Sequence, residues 1–410
     1  MAEAAPPLDL SPSASAPPVS AASARRARVA MIKRLADVVS LPSSRVNAFE
    51  RAMTSDLLVE MLRDAEPGER RRVAERVSQL SDIPRDLVRM LLSSELEVAQ
   101  ALLAEASLSD SDLILCARTS SHDHRLTIAK RRDVSDVVSD ALLEHGDLAV
   151  LEALLRNKGA KLTQAGLEYA MAASRRAPRL TPILLRRPEM RPAQAYVLFW
   201  WSGPDERRII LQRFAVGREV LQEATSDVFP LAAAEGWSDP LVRKALQFIE
   251  RRQRNRSAIE KSPFSDLEAA VQAAEGGLTR NLAAEIGFLS GLKPTTAAKI
   301  LTDPLGEPLA VLCKATGLSR HALMSLWRSM KRPETNESGD MSDALSRTLQ
   351  AFDMMAVDRA QTVLRYWNWA LSSALTPALL RAIRDGDDTG MDQYSIPERA
   401  AVLALSAGKA

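Results

Sequence analysis

Between Leu80 and Arg191 the apolar positions recur with helical periodicity, and one helix-start signal returns four times. Ser81, Ser109, Ser135 and Thr163 each follow an apolar residue, Leu80, Leu108, Val134 and Leu162, and each precedes an apolar-periodic run. The intervals are 28, 26 and 28 residues. A Ser or Thr oxygen at a helix start accepts a bond from an otherwise unpaired backbone N–H of the first turn. Asp112, three residues after Ser109, completes a capping-box pattern. Behind each start the same columns repeat, Val88, Cys116, Leu142 and Ala170 seven residues on and Leu87, Leu115, Ala141 and Tyr169 six residues on, all expected to be buried. A second apolar cluster follows in each unit, such as Val98, Ala101 and Leu102 or Leu151, Leu154 and Leu155. Each unit reads as a short helical hairpin.

A hairpin this short cannot bury its apolar face alone, so hairpins stack and share a core. The pattern predicts an all-α protein: a HEAT-like α-solenoid of short helical hairpins over 23–256, then a smaller helical domain over 257–333. A connector, a long C-terminal helix and an acidic tail fill 334–410. In the smaller domain Gly291-Leu292-Lys293 and Gly317-Leu318-Ser319 lie 26 residues apart, and Ile286 matches Leu312, Ala297 matches Leu323, Ile300 matches Leu326 and Leu301 matches Trp327. Two related units follow. The long helix starts at Ser342, and its stripe of Leu345, Leu349, Val363, Leu364 and Trp367 must dock somewhere. Residues 1–22 are rich in Pro, Ala and Ser and read as a disordered tail. The helix from Ser23 to about Val39 carries Arg25, Arg26, Arg28, Lys33 and Arg34; it is read as an N-terminal cap of the stack rather than a basic helix lying on an anionic surface.

Nearly half the residues are apolar but only 4% are aromatic, so alanine and leucine carry the packing. Asn-Gly and Asp-Gly turns between β-branched alternating runs are missing, and essentially no sheet is expected. Cys116 and Cys313 lie far apart, which excludes a disulfide framework. No apolar run approaches a membrane span, and the start of the chain lacks the layout of a secretory signal. A soluble, cytoplasmic protein is expected. The formal charge is only +2, yet residues 175–256 carry 16 Lys and Arg against 9 Asp and Glu.

That basic middle supplies the first candidate surface: Arg175, Arg176, Arg186, Arg187, Arg207 and Arg208, taken to share a face that binds an acidic protein partner. The second candidate is Leu309 to Met330, which resembles a DNA-binding helix-turn-helix turning on Gly317, with Arg320, His321, Arg328, Lys331 and Arg332 placed to meet nucleic acid. Phe199-Trp200-Trp201 reads as core filling before a stacking platform. His122, Asp123 and His124 lack a third ligand and read as an exposed loop, not a metal site. Phosphate-binding, dinucleotide, nucleophile-elbow and zinc-protease motifs are missing, so no catalytic, cofactor or metal site is assigned. A base-acting enzyme on a helical-repeat fold is the alternative carried against this.

The Phe199-Trp200-Trp201 run, the Leu-Ser-Asp helix starts, and Asp303-Pro304 followed by Ala310-Val311-Leu312-Cys313 resemble the bacterial, mainly alphaproteobacterial, family called domain of unknown function 2336, over about Arg25 to Trp367. The resemblance implies a cytoplasmic bacterial protein with HEAT-like helices and no catalytic assignment. Repeats without converging chemistry make a protein-interaction scaffold or regulatory adaptor the leading expectation. A nucleic-acid-binding regulator is the runner-up, and the oligomeric state stays open.

Overall fold

The computed structural model describes residues 21–42, 44–216, 258–370 and 402–403. The Pro/Ala/Ser-rich tail up to Ser20, the boundary at 256/257 and the acidic run from Asp385 to Asp392 lie outside the described residues. The protein is all-α: among the described residues there is no strand, only isolated bridges between Val134 and Ala160 and between Thr335 and Met341. Its contacts divide into two compact units, one ending at Lys161 and the other starting at Leu162.

In the first unit the main packing runs from each helix to those one and two places along the chain. The register of its hairpins differs from the serine spacing at one point. Ser81 is not a cap; the helix Arg85–Leu92 starts after Pro84. Proline disfavours helical backbone in the residue before it, so Ile83 stays outside the helix. With Pro84, Ser109, Ser135 and Thr163 as the four starts, the buried positions fall three, four, seven and eight residues on: Leu87, Val88, Leu91 and Leu92 in one helix, Asp112, Leu113, Cys116 and Ala117 in the next. Val138, Ser139, Leu142 and Leu143 repeat the columns, as do Gly166, Leu167, Ala170 and Met171 in the second unit. Leu115 and Tyr169 fall between columns and are exposed, contrary to the expected six-residue column. Ser109 and Thr163 accept from the N–H groups of Asp112 and Gly166 at 3.3 and 2.9 Å. The Asp112 carboxylate accepts the Ser109 hydroxyl instead of closing a capping box on the backbone.

A polar clamp joins successive hairpins. The Arg131 guanidinium, just past the helix His122–Ala129, donates to Ala106 O at 2.9 Å and to Leu103 O, at the end of the preceding second helix Leu96–Glu105. One hairpin later Asn157 Nδ2 donates to Ala129 O and Arg131 O at 2.9 and 2.6 Å. In the second unit Arg213 donates to Leu185 O at 2.6 Å across a similar 28-residue separation. Carbonyls ending a helix have no partner within it, and these side chains supply one. The N-terminal basic helix Ala21–Val39 packs on Ala48–Arg63, with Arg28 paired to Asp64 and Asp37 to Arg76.

The second unit is centred on the helix Glu307–Thr316, buried on nearly every side. Gly306 and Gly317 bound it in left-handed backbone, at φ 93° and 83°. The expected 26-residue correspondence holds: Gly291 and Gly317 both have positive φ, and Leu292 N–H and Leu318 N–H reach Gly287 O and Cys313 O, each at 2.9 Å. The expected long C-terminal helix is two, Asp343–Met354 and Val357–Ala370, broken at Met355. A straight helix over those residues would run about 42 Å at 1.5 Å per residue, against about 15 Å for Glu307–Thr316. The break lets both segments pack on that one short helix.

The aromatic residues form the core of this unit. Trp367 lies 5.0 Å from the Phe199 ring and 4.8 Å from Trp200, and donates to Tyr196 O at 3.0 Å. Trp201 donates to Ser174 Oγ at 2.9 Å. Tyr196 donates its hydroxyl to Phe214 O at 2.5 Å, and burial pushes its pKa up to about 12. An unfolded tyrosine titrates near 10; with the folded value raised, this contribution is complete below about pH 10 and is lost as pH rises towards 12. Tyr196→Phe is therefore expected to be less stable at neutral pH by about 1 kcal/mol yet to lose less stability than the parent between pH 10 and 12. Urea titrations at both ends of that range check it. Parallel pH dependences would refute it.

Candidate functional site

The six arginines of the basic middle do not share an exposed face. Arg176, Arg186 and Arg208 are exposed and Arg175 is half-buried. Arg187 is buried and paired with Glu189 at 2.6 Å, and Arg207 is 3% exposed. Arg207 is a deeply buried charge: it forks onto both carboxylate oxygens of Asp303 at 2.8 Å and reaches Glu307 at 3.0 Å, with its guanidinium 4.5 Å from the Phe199 ring centroid. Burial alone would lower its pKa, but the two carboxylates outweigh burial and raise it. Asp303 also accepts from the N–H groups of Leu305 and Gly306, at 3.1 and 3.0 Å. A methyl group at Gly306 would meet Trp327 and Thr348 at 2.5 and 2.6 Å, so glycine is required for this approach as well as for its φ. The cluster is a buried ion triad that ties the helix Pro204–Ile209 to the start of Glu307–Thr316. It holds Arg207, Asp303 and Glu307 in place, with Glu307 Oε1 left outside the triad's hydrogen bonds.

The helix pair Glu307–Thr316 and Arg320–Ser329 exists as the sequence predicts, and Ser319 caps its second helix by accepting from Ala322 N–H at 3.2 Å. Its basic residues are largely committed within the fold. Arg320 pairs with Asp353 and Arg328 with Glu334, each at 2.6 Å. Arg332 is half-buried, stacks 5.1 Å from the Trp327 ring centroid and donates to Leu301 O and Asp303 O. His321 and Lys331 are exposed. His122 and His124 begin the helix His122–Ala129 instead of lying in a loop; His124 is buried between Ser121 Oγ and Ser94 O at 2.8 and 3.1 Å. Among the described residues no group of three or more His, Cys, Asp or Glu side chains is arranged to hold a metal. Cys116 and Cys313 are both buried and unpaired.

The surface that stands out belongs to the helix Ala48–Arg63. Asn47 starts it with a reciprocal capping box, accepting from Glu50 N–H at 2.8 Å while its own N–H donates to the Glu50 carboxylate at 3.1 Å. Leu58 and Leu62 fill the core, yet Phe49, Met53 and Leu57 point outward, 74%, 51% and 57% exposed. Four-residue steps put these three on one stripe. At 100° per residue, Ala52 and Asp56 lie between that stripe and a groove of about 370 Å³ walled by Asp82, Arg85 and Asp86. Ser55 Oγ is buried at the groove without a hydrogen-bond partner, and Arg51 beside it donates to Leu41 O. The groove lining carries Asp56, Asp82 and Asp86 against Arg51 and Arg85, a balance of one negative charge. The signal was in the sequence: this helix has apolar residues around more of its circumference than one buried face uses.

A family model described as an uncharacterised protein conserved in bacteria, domain of unknown function 2336, matches residues 98–365. The match begins well inside the span from Arg25 that the motifs suggested. No curated protein and no solved structure matches. The helix Ala48–Arg63 lies N-terminal to the matched segment. No helix among the described residues is long and apolar enough to cross a membrane.

Proposed function

The chain belongs to that bacterial family, and because membership brings no activity with it we propose, from the surface itself, that the protein is a non-enzymatic adaptor whose first unit docks a basic amphipathic helix of another protein. The observation that carries this is the exposed stripe of Phe49, Met53 and Leu57 beside a groove whose three aspartates outnumber its two arginines. Large apolar side chains grouped on one exposed helix face mark interaction sites far more often than single exposed ones do. The aspartates select the partner's charge: lysines or arginines flanking its apolar face would meet Asp56, Asp82 and Asp86, and the unpartnered Ser55 hydroxyl can accept from one of them. A second copy of this chain would set the same aspartates against each other. HEAT-like hairpins stacked as an α-solenoid, and a cytoplasmic setting, are part of this reading. Nucleic acid has weaker support, because Arg320 and Arg328 are already ion-paired.

The test uses a model helix of alternating leucine and lysine faces and its leucine/glutamate counterpart, titrated calorimetrically into the full chain. The lysine peptide is expected to bind and the glutamate peptide not to. Replacing Phe49, Met53 and Leu57 together by Ser should weaken binding by at least about tenfold, since such anchors contribute upwards of 1 kcal/mol each. Asp56→Asn with Asp82→Asn should flatten its salt dependence. Equal binding of both peptides, unchanged affinity in the triple variant, or dimerisation through this face sinks the proposal.

A further inference from the structure

The second unit contains a cleft of about 270 Å³ whose lining does not belong to the adaptor surface. Three arginines meet there, Arg208, Arg347 and Arg359, from the helices Pro204–Ile209, Asp343–Met354 and Val357–Ala370. The lining carries one carboxylate, Glu307, whose Oε2 is already taken by Arg207 at 3.0 Å. Arg208 has only an exposed pairing with Asp205 at 3.3 Å, and Arg359 forms no ion pair among the described residues. Positive charge is therefore in excess in a pocket whose remaining lining combines the apolar Leu211, Ala351, Met354 and Met355 with the polar Gln212 and Gln350.

Two buried polar atoms at this cleft lack hydrogen-bond partners. Glu307 is 3% exposed and its Oε1 has none; Arg347 Nε has none either, and the two stand 3.8 Å apart, too far for a hydrogen bond. A buried polar atom left unpaired is costly, and in a pocket open to solvent a ligand can satisfy it. Glu307 Oε1 can only accept, so it calls for a hydroxyl or N–H donor. Guanidinium groups match the oxygens of a phosphate in paired bonds. An anionic group, a hydroxyl and an apolar or planar body are the features this lining recognises together.

We propose that this cleft binds a small phosphorylated, hydroxyl-bearing metabolite, with its phosphate on Arg208 and Arg359 and a hydroxyl donating to Glu307 Oε1. Sugar phosphates and nucleoside monophosphates share that chemistry. The methionine and leucine walls give a nucleobase an additional contact that a sugar phosphate lacks.

Calorimetry on the full chain at low ionic strength separates these sources, using adenosine monophosphate, ribose 5-phosphate, adenosine and inorganic phosphate as probes. At least one of the first two is expected to bind at a single site below about 1 mM, with adenosine and inorganic phosphate each weaker by about tenfold or more. Tighter binding of the nucleotide assigns the body to a base, and equal binding assigns it to the sugar. Arg208→Gln and Arg359→Gln are exposed changes that should leave the melting temperature alone while each weakens the phosphorylated probe by about tenfold. No binding by either phosphorylated probe, binding no better than inorganic phosphate, or identical affinity in both variants overturns the proposal.

Discussion

Arg207→Ala is expected to destabilise the second unit by about 3–5 kcal/mol, the range found when one partner of a buried ion pair is removed. The size follows from what is left behind. Asp303 keeps the N–H groups of Leu305 and Gly306, whereas Glu307 Oε2 loses its partner and Oε1 has only Arg347 at 3.8 Å. An unpaired carboxylate 3% exposed then has to protonate or the helix start has to open. Tryptophan fluorescence during urea unfolding reads this directly, because every tryptophan of the chain lies after Lys161 and Trp200 and Trp367 pack against Phe199, whose ring lies under the guanidinium. The control is the triple change Arg207→Met, Asp303→Asn and Glu307→Gln, which removes the charges together and should recover much of the loss. A single-variant cost under about 1 kcal/mol, the value of an exposed pair, would mean that the triad is hydrated.

Leu142→Asp tests the first unit, and its cost is expected to exceed about 4 kcal/mol, since a charge would enter a fully buried column. Packing there passes between near neighbours, so the damage should centre on the helices Asp110–Thr119, Asp136–Leu143 and Leu148–Arg156. Amide hydrogen exchange should lose protection across those helices. Leu115→Asp makes the comparison sharp: the six-residue column of the sequence pattern would bury it, but at 46% exposure it should change stability by no more than about 0.5 kcal/mol. Matching losses in the two variants would mean the hairpin register is wrong.

Those two leucines mark where the sequence was legible and where it was not. Repetition was readable because Ser109, Ser135 and Thr163 are true caps and Gly291 and Gly317 are true helix ends, each set by local backbone chemistry. Ser81 misled because it resembles a cap while Ile83-Pro84 controls the local backbone. The tryptophan run was rightly placed in the core, although its partner Trp367 lies far along the chain. Local charge along the paired arginines does not disclose that Arg207 meets carboxylates 96 and 100 residues away. Helix Ala48–Arg63 showed too many apolar positions, but which of them face outward depends on where its neighbours pack. The break at Met355 has no proline or glycine to announce it; the shortness of the helix it wraps, a tertiary fact, accounts for it.

The clamps made by Arg131, Asn157 and Arg213 give the chain a direction. At Arg131 and Asn157 the later hairpin carries the donor that completes the earlier one, whereas at the start of the chain Arg28 donates forward to Met61 O at 3.1 Å. Where a clamp is present, the donor travels with its own hairpin, so loss or duplication of that whole hairpin moves donor and segment together. Truncation from the C-terminal side would instead strand the carbonyls of the last remaining hairpin.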